Sequence, residues 1–122
     1  METWTLSWTK LASFDTVSDM PVNIPGVYRL SYRGEDGNFY VFYVGQAEDI
    51  KAQLSKHKSE SETNVCIKNF LYTKECFFRY AQISEDYVRK TITRKAYNYY
   101  QPSCNTEIPE EGKVDVDGNL DN

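Results

Sequence analysis

The sequence predicts one α+β domain, a small three-stranded and mainly antiparallel sheet flanked by helices. Two aromatic and β-branched runs, residues 26–30 and 39–44, enclose the turn-forming stretch Gly34-Glu35-Asp36-Gly37-Asn38, which is a hairpin signal. A third run of the same character covers residues 76–83. Residues 49–57 and 84–99 carry apolar positions at helical spacing instead. At 122 residues and 14.2 kDa the chain has room for one core and not two.

In chain order, residues 1–20 form a lead-in in which Trp4, Leu6 and Trp8 alternate, while Trp8, Leu11 and Phe14 fit a helical turn. The expectation is a strand or loop followed by a short helix. Pro25 stands where a strand begins. In the second strand, alternation puts Phe39, Val41 and Tyr43 on one face and Tyr40, Phe42 and Val44 on the other. Both faces are apolar, so cover on both sides is expected. Ile50, Leu54 and His57 form one stripe of the next helix. A polar break at 59–64 precedes a short helix over 65–72. Ser84-Glu85-Asp86 reads as a cap and acidic first turn, and Val88, Ile92, Ala96 and Tyr99 as the apolar stripe of the final helix. That helix ends before Pro102.

The formal charge of −4 is unevenly spread. From Glu107 onward there are six acidic residues and one lysine, which leaves 13 basic and 12 acidic residues before it. A nearly neutral body lacks the footprint of a dedicated DNA binder. Residues 107–122 are acidic and poor in large apolar side chains, and a disordered tail is expected. Within it, residues 115–121 lack the spacing and closing glutamate of a calcium loop and read as solvated.

No apolar run approaches the ~20 residues that a bilayer needs, so no membrane association is expected. The N-terminal residues lack the basic-then-apolar order of a secretory signal. Cys66, Cys76 and Cys104 are odd in number and without C-x-x-C spacing, which predicts reduced thiols and a cytoplasmic protein.

Gly26-Val27-Tyr28 in the first strand, Tyr43-Val44-Gly45 ending the second, the run on to Leu54 and His57, and Pro102-Ser103-Cys104-Asn105 after the last helix occur in a telling order. Over residues 21–106 the chain thereby resembles the GIY-YIG nuclease superfamily. Members that cleave DNA use one divalent metal held by a glutamate, an arginine on the first helix and the two triplet tyrosines. A phenol takes a proton from the attacking water while the metal and the arginine neutralise charge on the phosphate. Tyr28 and Tyr43 match those tyrosines. The arginine's place is taken by Gln53, and the glutamate's by Thr93, with Lys90, Arg94, Lys95 and Ala96 around it.

The resemblance therefore implies a degenerate member: a non-cleaving module whose partner is DNA or a protein, with no metal and no cofactor. Its vestigial site comprises Tyr28, Tyr43, Gln53 and His57. Lys51, Lys56, Arg89, Lys90, Arg94 and Asn105 are the candidates for nucleic-acid contact, with Arg79 near them in the same basic group; solvated helix surface is the commoner fate of such residues. The alternative is a DNA endonuclease dependent on magnesium or manganese, with ligands relocated to Glu85 or Asp86.

Overall fold

A computed structural model describes residues 3–110 and 115–117 of the chain. The elements run β1 (Thr3–Thr5), β2 (Ala12–Ser13), a 3-10 helix (Phe14–Asp19), β3 (Gly26–Arg33), β4 (Phe39–Ala47), α1 (Ile50–His57), α2 (Val65–Thr73), β5 (Cys76–Gln82), α3 (Asp86–Tyr100) and β6 (Asp115–Asp117). The architecture is α+β with a four-stranded antiparallel sheet in the order β2-β5-β3-β4. The expected third strand is therefore joined by a fourth: β2 lies in the lead-in and is two residues long, too short for alternation to reveal. A separate parallel pair joins β1 to β6, so regular backbone occurs at 115–117, where composition pointed to disorder. Residues 118–122, including the end of the supposed calcium-loop stretch, lie outside the described residues.

The hairpin forms as its turn chemistry dictates. Gly37 takes a φ of 82°, Gly34 N–H donates to the Asn38 carbonyl at 2.7 Å, and the Asp36 side chain accepts from the Asn38 amide at 3.0 Å. β3 lies at the centre of the sheet between β4 and β5. One face packs Tyr28, Leu30, Phe42 and Phe78 against Ile50 and Leu54 of α1, Ile67 of α2 and Phe14 of the 3-10 helix. The other carries Val27, Ala81 and Ile83 against Val88 and Ile92 of α3, with Leu6 alongside. Cover on both faces is as expected.

The facing of β4 differs from simple alternation. The register with β3 shifts between Leu30, opposite Tyr43, and Ser31, opposite Val41, so Phe42 is an extra residue. Such a bulge turns a side chain onto the face it would otherwise avoid. Phe42 stacks on Phe70 at 4.6 Å between centroids while Tyr43 packs against Tyr28 and His57, all on one side of the sheet.

The helices begin at side-chain caps: Asp49 accepts from the Ala52 amide, and Asn64 from the Ile67 amide. The N-cap of α3 is Glu85 rather than Ser84. Of its expected stripe, Val88, Ile92 and Ala96 are buried, but Tyr99 is 57% exposed, and it is the next residue, Tyr100, that meets Arg29 of β3. Gln101, left-handed at φ 49°, ends the helix just before Pro102.

The cysteines correct the expectation of reduced thiols. Cys66 on α2 and Cys104 after α3 form a disulfide, and Cys76 alone is free and buried. Spacing in sequence said nothing of this, since the pair lies 38 residues apart and only the fold brings the Cα atoms to 5.3 Å. Burial pushes the Cys76 thiol up to about 11. Among the described residues, no helix is long and apolar enough to cross a membrane.

Candidate functional site

The two glycine–tyrosine triplets meet across the β3–β4 ladder, where Tyr28 stands directly opposite Gly45. A Cβ at Gly45 would lie 2.7 Å from the Tyr28 hydroxyl, and one at Gly26 would lie 2.1 Å from the Ala81 carbonyl oxygen. Both glycines are thus demanded by close approach. The ring of Tyr28, 1% exposed, lies over Gly45 with its hydroxyl turned toward α1.

That hydroxyl is the centre of a buried network. Tyr28 Oη and His57 Nε2 are 2.7 Å apart, and His57 Nδ1 is 2.5 Å from Glu62 Oε1. His57 and Glu62 are both buried. Burial holds the imidazole below its ordinary value and outweighs the carboxylate's pull in the other direction. Burial alone would raise Glu62, yet its hydrogen bond and charge interaction with His57, aided by the Thr63 and Asn64 amides, leave it below the usual carboxylate range. The neutral ring therefore donates from Nδ1 to the carboxylate and accepts the Tyr28 proton at Nε2.

Tyr28 is held well above an ordinary phenol, first by burial and next by Tyr43; it is a neutral donor. Gln53 draws it slightly the other way, and the Tyr28 and Tyr43 ring centres lie 6.1 Å apart. Tyr43 is half-buried and is raised as well, chiefly by burial. Hydrogen bonds thus run from Tyr28 through His57 to a buried carboxylate, with the Tyr43 ring packed against both Tyr28 and His57. Glu62 is the member the sequence did not reveal. It sits in a polar run five residues beyond His57, and only the turn after α1 brings it back.

Beside Tyr43, at the open edge of β4, is a groove of about 330 Å3 lined by Tyr43, Gly45, Gln46, Thr93 and Asn105, with residues 106–110 along its rim. Asn105 holds this edge by a two-point contact with Val44, its Oδ1 accepting from the backbone amide at 3.0 Å and its Nδ2 donating to the carbonyl at 2.9 Å. Cys104 N–H donates to the Phe42 carbonyl beside it, and Asn64 Nδ2 to the Cys104 carbonyl. Asn105 is thus an edge clamp on β4. Thr93 does line the groove, but its hydroxyl is buried and donates back to the Arg89 carbonyl at 2.7 Å.

The candidate nucleic-acid contacts separate. Arg89 is 4% exposed and donates to the Ile83 and Ser84 carbonyls at 3.1 and 2.8 Å, which ties α3 to the end of β5. Lys90 is paired with Asp86 and Glu110, and Arg94 donates to the Pro109 carbonyl. The start of the tail is therefore seated on α3. Lys51 and Lys56 are on α1, across the sheet from α3. The six do not form one surface.

A divalent cation does not fit the residues present. Among the described residues no three of His, Cys, Asp and Glu gather as ligands. Glu62 is committed to His57, and Asp86 to Arg89 and Lys90. Neither Glu85 nor Asp86 lines the groove; Glu107 and Glu110 do, with Glu110 paired to Lys90. Compared with models of known protein families, with curated proteins and with solved structures, the chain matches none.

Proposed function

We propose that the chain is a GIY-YIG-like domain that binds a partner, nucleic acid or protein, without cleaving phosphodiesters. What supports this reading is that the two positions matched to the arginine and the metal-binding glutamate, Gln53 and Thr93, carry no charge, while the carboxylates that do border the groove, Glu107 and Glu110, stand on its rim, with Glu110 paired to Lys90. Gln53, beside Tyr28, is an uncharged amide, and the Thr93 hydroxyl is turned into its own helix. A neutral amide supplies about half the strength of a charge-assisted bond, and a hydroxyl bonded to a carbonyl offers no anionic ligand. The groove edge, clamped by Asn105 and rimmed by residues 106–110, remains available as a shaped polar surface.

Purified chain incubated with supercoiled plasmid and magnesium or manganese leaves the plasmid intact on this reading. Nicking that disappears in Tyr43→Phe overturns it.

A second reading, an endonuclease with rearranged ligands, is favoured by one observation. Tyr43 lines the groove and packs directly against Tyr28 and His57, so the hydrogen-bonded Tyr28–His57–Glu62 set, which can hold a proton, stands behind the groove's tyrosine. The same plasmid assay decides between the two. The cytoplasmic placement expected from reduced thiols now rests on Cys76 alone, because the Cys66–Cys104 bond favours an oxidising setting. Thiol titration of protein isolated under rapid alkylation tests it: three reactive thiols after unfolding support the cytoplasm, and one opposes it.

A further inference from the structure

We propose that residues 106–110 are an autoinhibitory strap: they engage Lys90 and Arg94, the cations of α3 beside the β4-edge groove, and a nucleic-acid strand must lift them to reach those cations. The inference rests on the partner-binding reading above and takes nucleic acid as the partner.

Thr93 lines the groove, Lys90 precedes it by one helical turn on the same side of α3, and Arg94 follows it. Lys90 Nζ is 3.2 Å from Glu110 Oε2, and Arg94 Nη1 donates to the Pro109 carbonyl at 3.0 Å. Thr106, Glu107 and Ile108 complete the rim, and the Glu107 carboxylate is close enough to Tyr43 to add to the rise of that phenol. A carboxylate and a carbonyl thus stand at the two cations. Phosphoryl oxygens are acceptors of the same kind, so a nucleic-acid backbone competes for the same donors.

The strap is fixed firmly at its root and lightly along its length. Cys104 is bonded to Cys66 and donates to the Phe42 carbonyl at 2.8 Å, and Asn105 clamps Val44. Beyond that point the segment meets α3 through the Lys90–Glu110 pair and the Arg94–Pro109 bond. The Glu110 side chain is 73% exposed and Ile108 65% exposed, so lifting the segment uncovers little apolar surface. An ion pair so exposed holds weakly. The firm root keeps a lifted strap tethered beside its site, which makes the competition intramolecular and constant. A surface left free about one-tenth of the time loses about tenfold in apparent affinity.

The test is fluorescence anisotropy of a labelled single-stranded DNA of about twelve nucleotides, titrated at low salt with the full chain and with full-length variants. Glu107→Gln together with Glu110→Gln should tighten binding about tenfold. Glu35→Gln together with Glu60→Gln changes the net charge equally, at positions that do not line the groove, and should tighten it less than about twofold. Adding Lys90→Ala and Arg94→Ala to the first pair should remove most of its gain. In NMR spectra of the unaltered chain, the amide signals of Thr106, Ile108 and Glu110 should move on saturation with DNA, together with that of Gly45. Equal gains in the two double variants, no gain in either, or DNA binding that leaves the strap signals in place overturns the strap. Failure of every variant to bind DNA also overturns it, and leaves a protein partner for the reading on which it rests. Plasmid nicking by the Glu107→Gln, Glu110→Gln chain overturns that reading instead.

Discussion

The two faces of the sheet solve the problem of buried polarity in opposite ways. On the α1 side, Tyr28, His57 and Glu62 satisfy one another in a closed chain, so each charge or dipole has a partner supplied by the protein. On the α3 side, guanidiniums dominate. Arg89 is satisfied by backbone carbonyls, Arg29 by aromatic faces and a phenol, and Arg79 borders an open cavity. One face satisfies its polar groups side chain to side chain; the other does so largely through backbone carbonyls and ring faces.

Breaking the closed chain has the largest expected effect. Glu62→Ala leaves a buried imidazole and phenol without their terminal acceptor, and a loss of about 3 kcal/mol, the upper end for an unsatisfied buried donor, is expected in urea unfolding. The same substitution at Asp86, whose pairs with Arg89 and Lys90 are at an exposed carboxylate, costs under about 1 kcal/mol. Equal losses at the two positions would erase the contrast between the faces.

Reduction of Cys66–Cys104, or Cys66→Ser, releases a loop spanning 38 residues and costs about 2–4 kcal/mol. Because Cys104 and Asn105 hold the edge of β4, hydrogen exchange at Val44 should accelerate more than at Val27. Gly45→Ala forces a methyl group against the Tyr28 ring, with an expected cost of about 1–3 kcal/mol. Gly45→Ala combined with Tyr28→Phe should recover part of it, since the nearest atom is the hydroxyl oxygen.

The smallest effect is a pH dependence. Burial holds His57 below its ordinary value of about 6.5, so on acidification the unfolded chain takes up the proton first. Stability is full above that value and declines as pH falls below it; Glu62, also depressed, extends the decline in the same direction below the usual carboxylate range. Urea midpoints at pH 7.5 and 5.5 measure the slope, which His57→Gln should flatten.

Much of the fold was legible in the chain because its signals are local. Asp36-Gly37 announced the hairpin, Ile50, Leu54 and His57 the first long helix, and Val88, Ile92 and Ala96 the last. Each depends on residues a few positions apart, where backbone geometry is set by neighbours. The site was legible in part. Tyr28, Gln53 and His57 do converge, and Tyr43, Thr93 and Asn105 do share a groove. Arg89 was misread as a surface cation, since charge alone does not reveal that a side chain turns back onto carbonyls five and six residues earlier.

By itself, then, the sequence determined the mixed α and β character, the hairpin, the three helices and the candidate tyrosines, because turn chemistry and hydrophobic period act over short range. Only the tertiary structure decided the bulge that turns Phe42 and Tyr43 to one face, the pairing of Cys66 with Cys104, the burial of Glu62 against His57, and the placement of Arg29 opposite Arg79. Each of these joins residues through strand register or packing between elements, and neither is written in the spacing of residues along the chain.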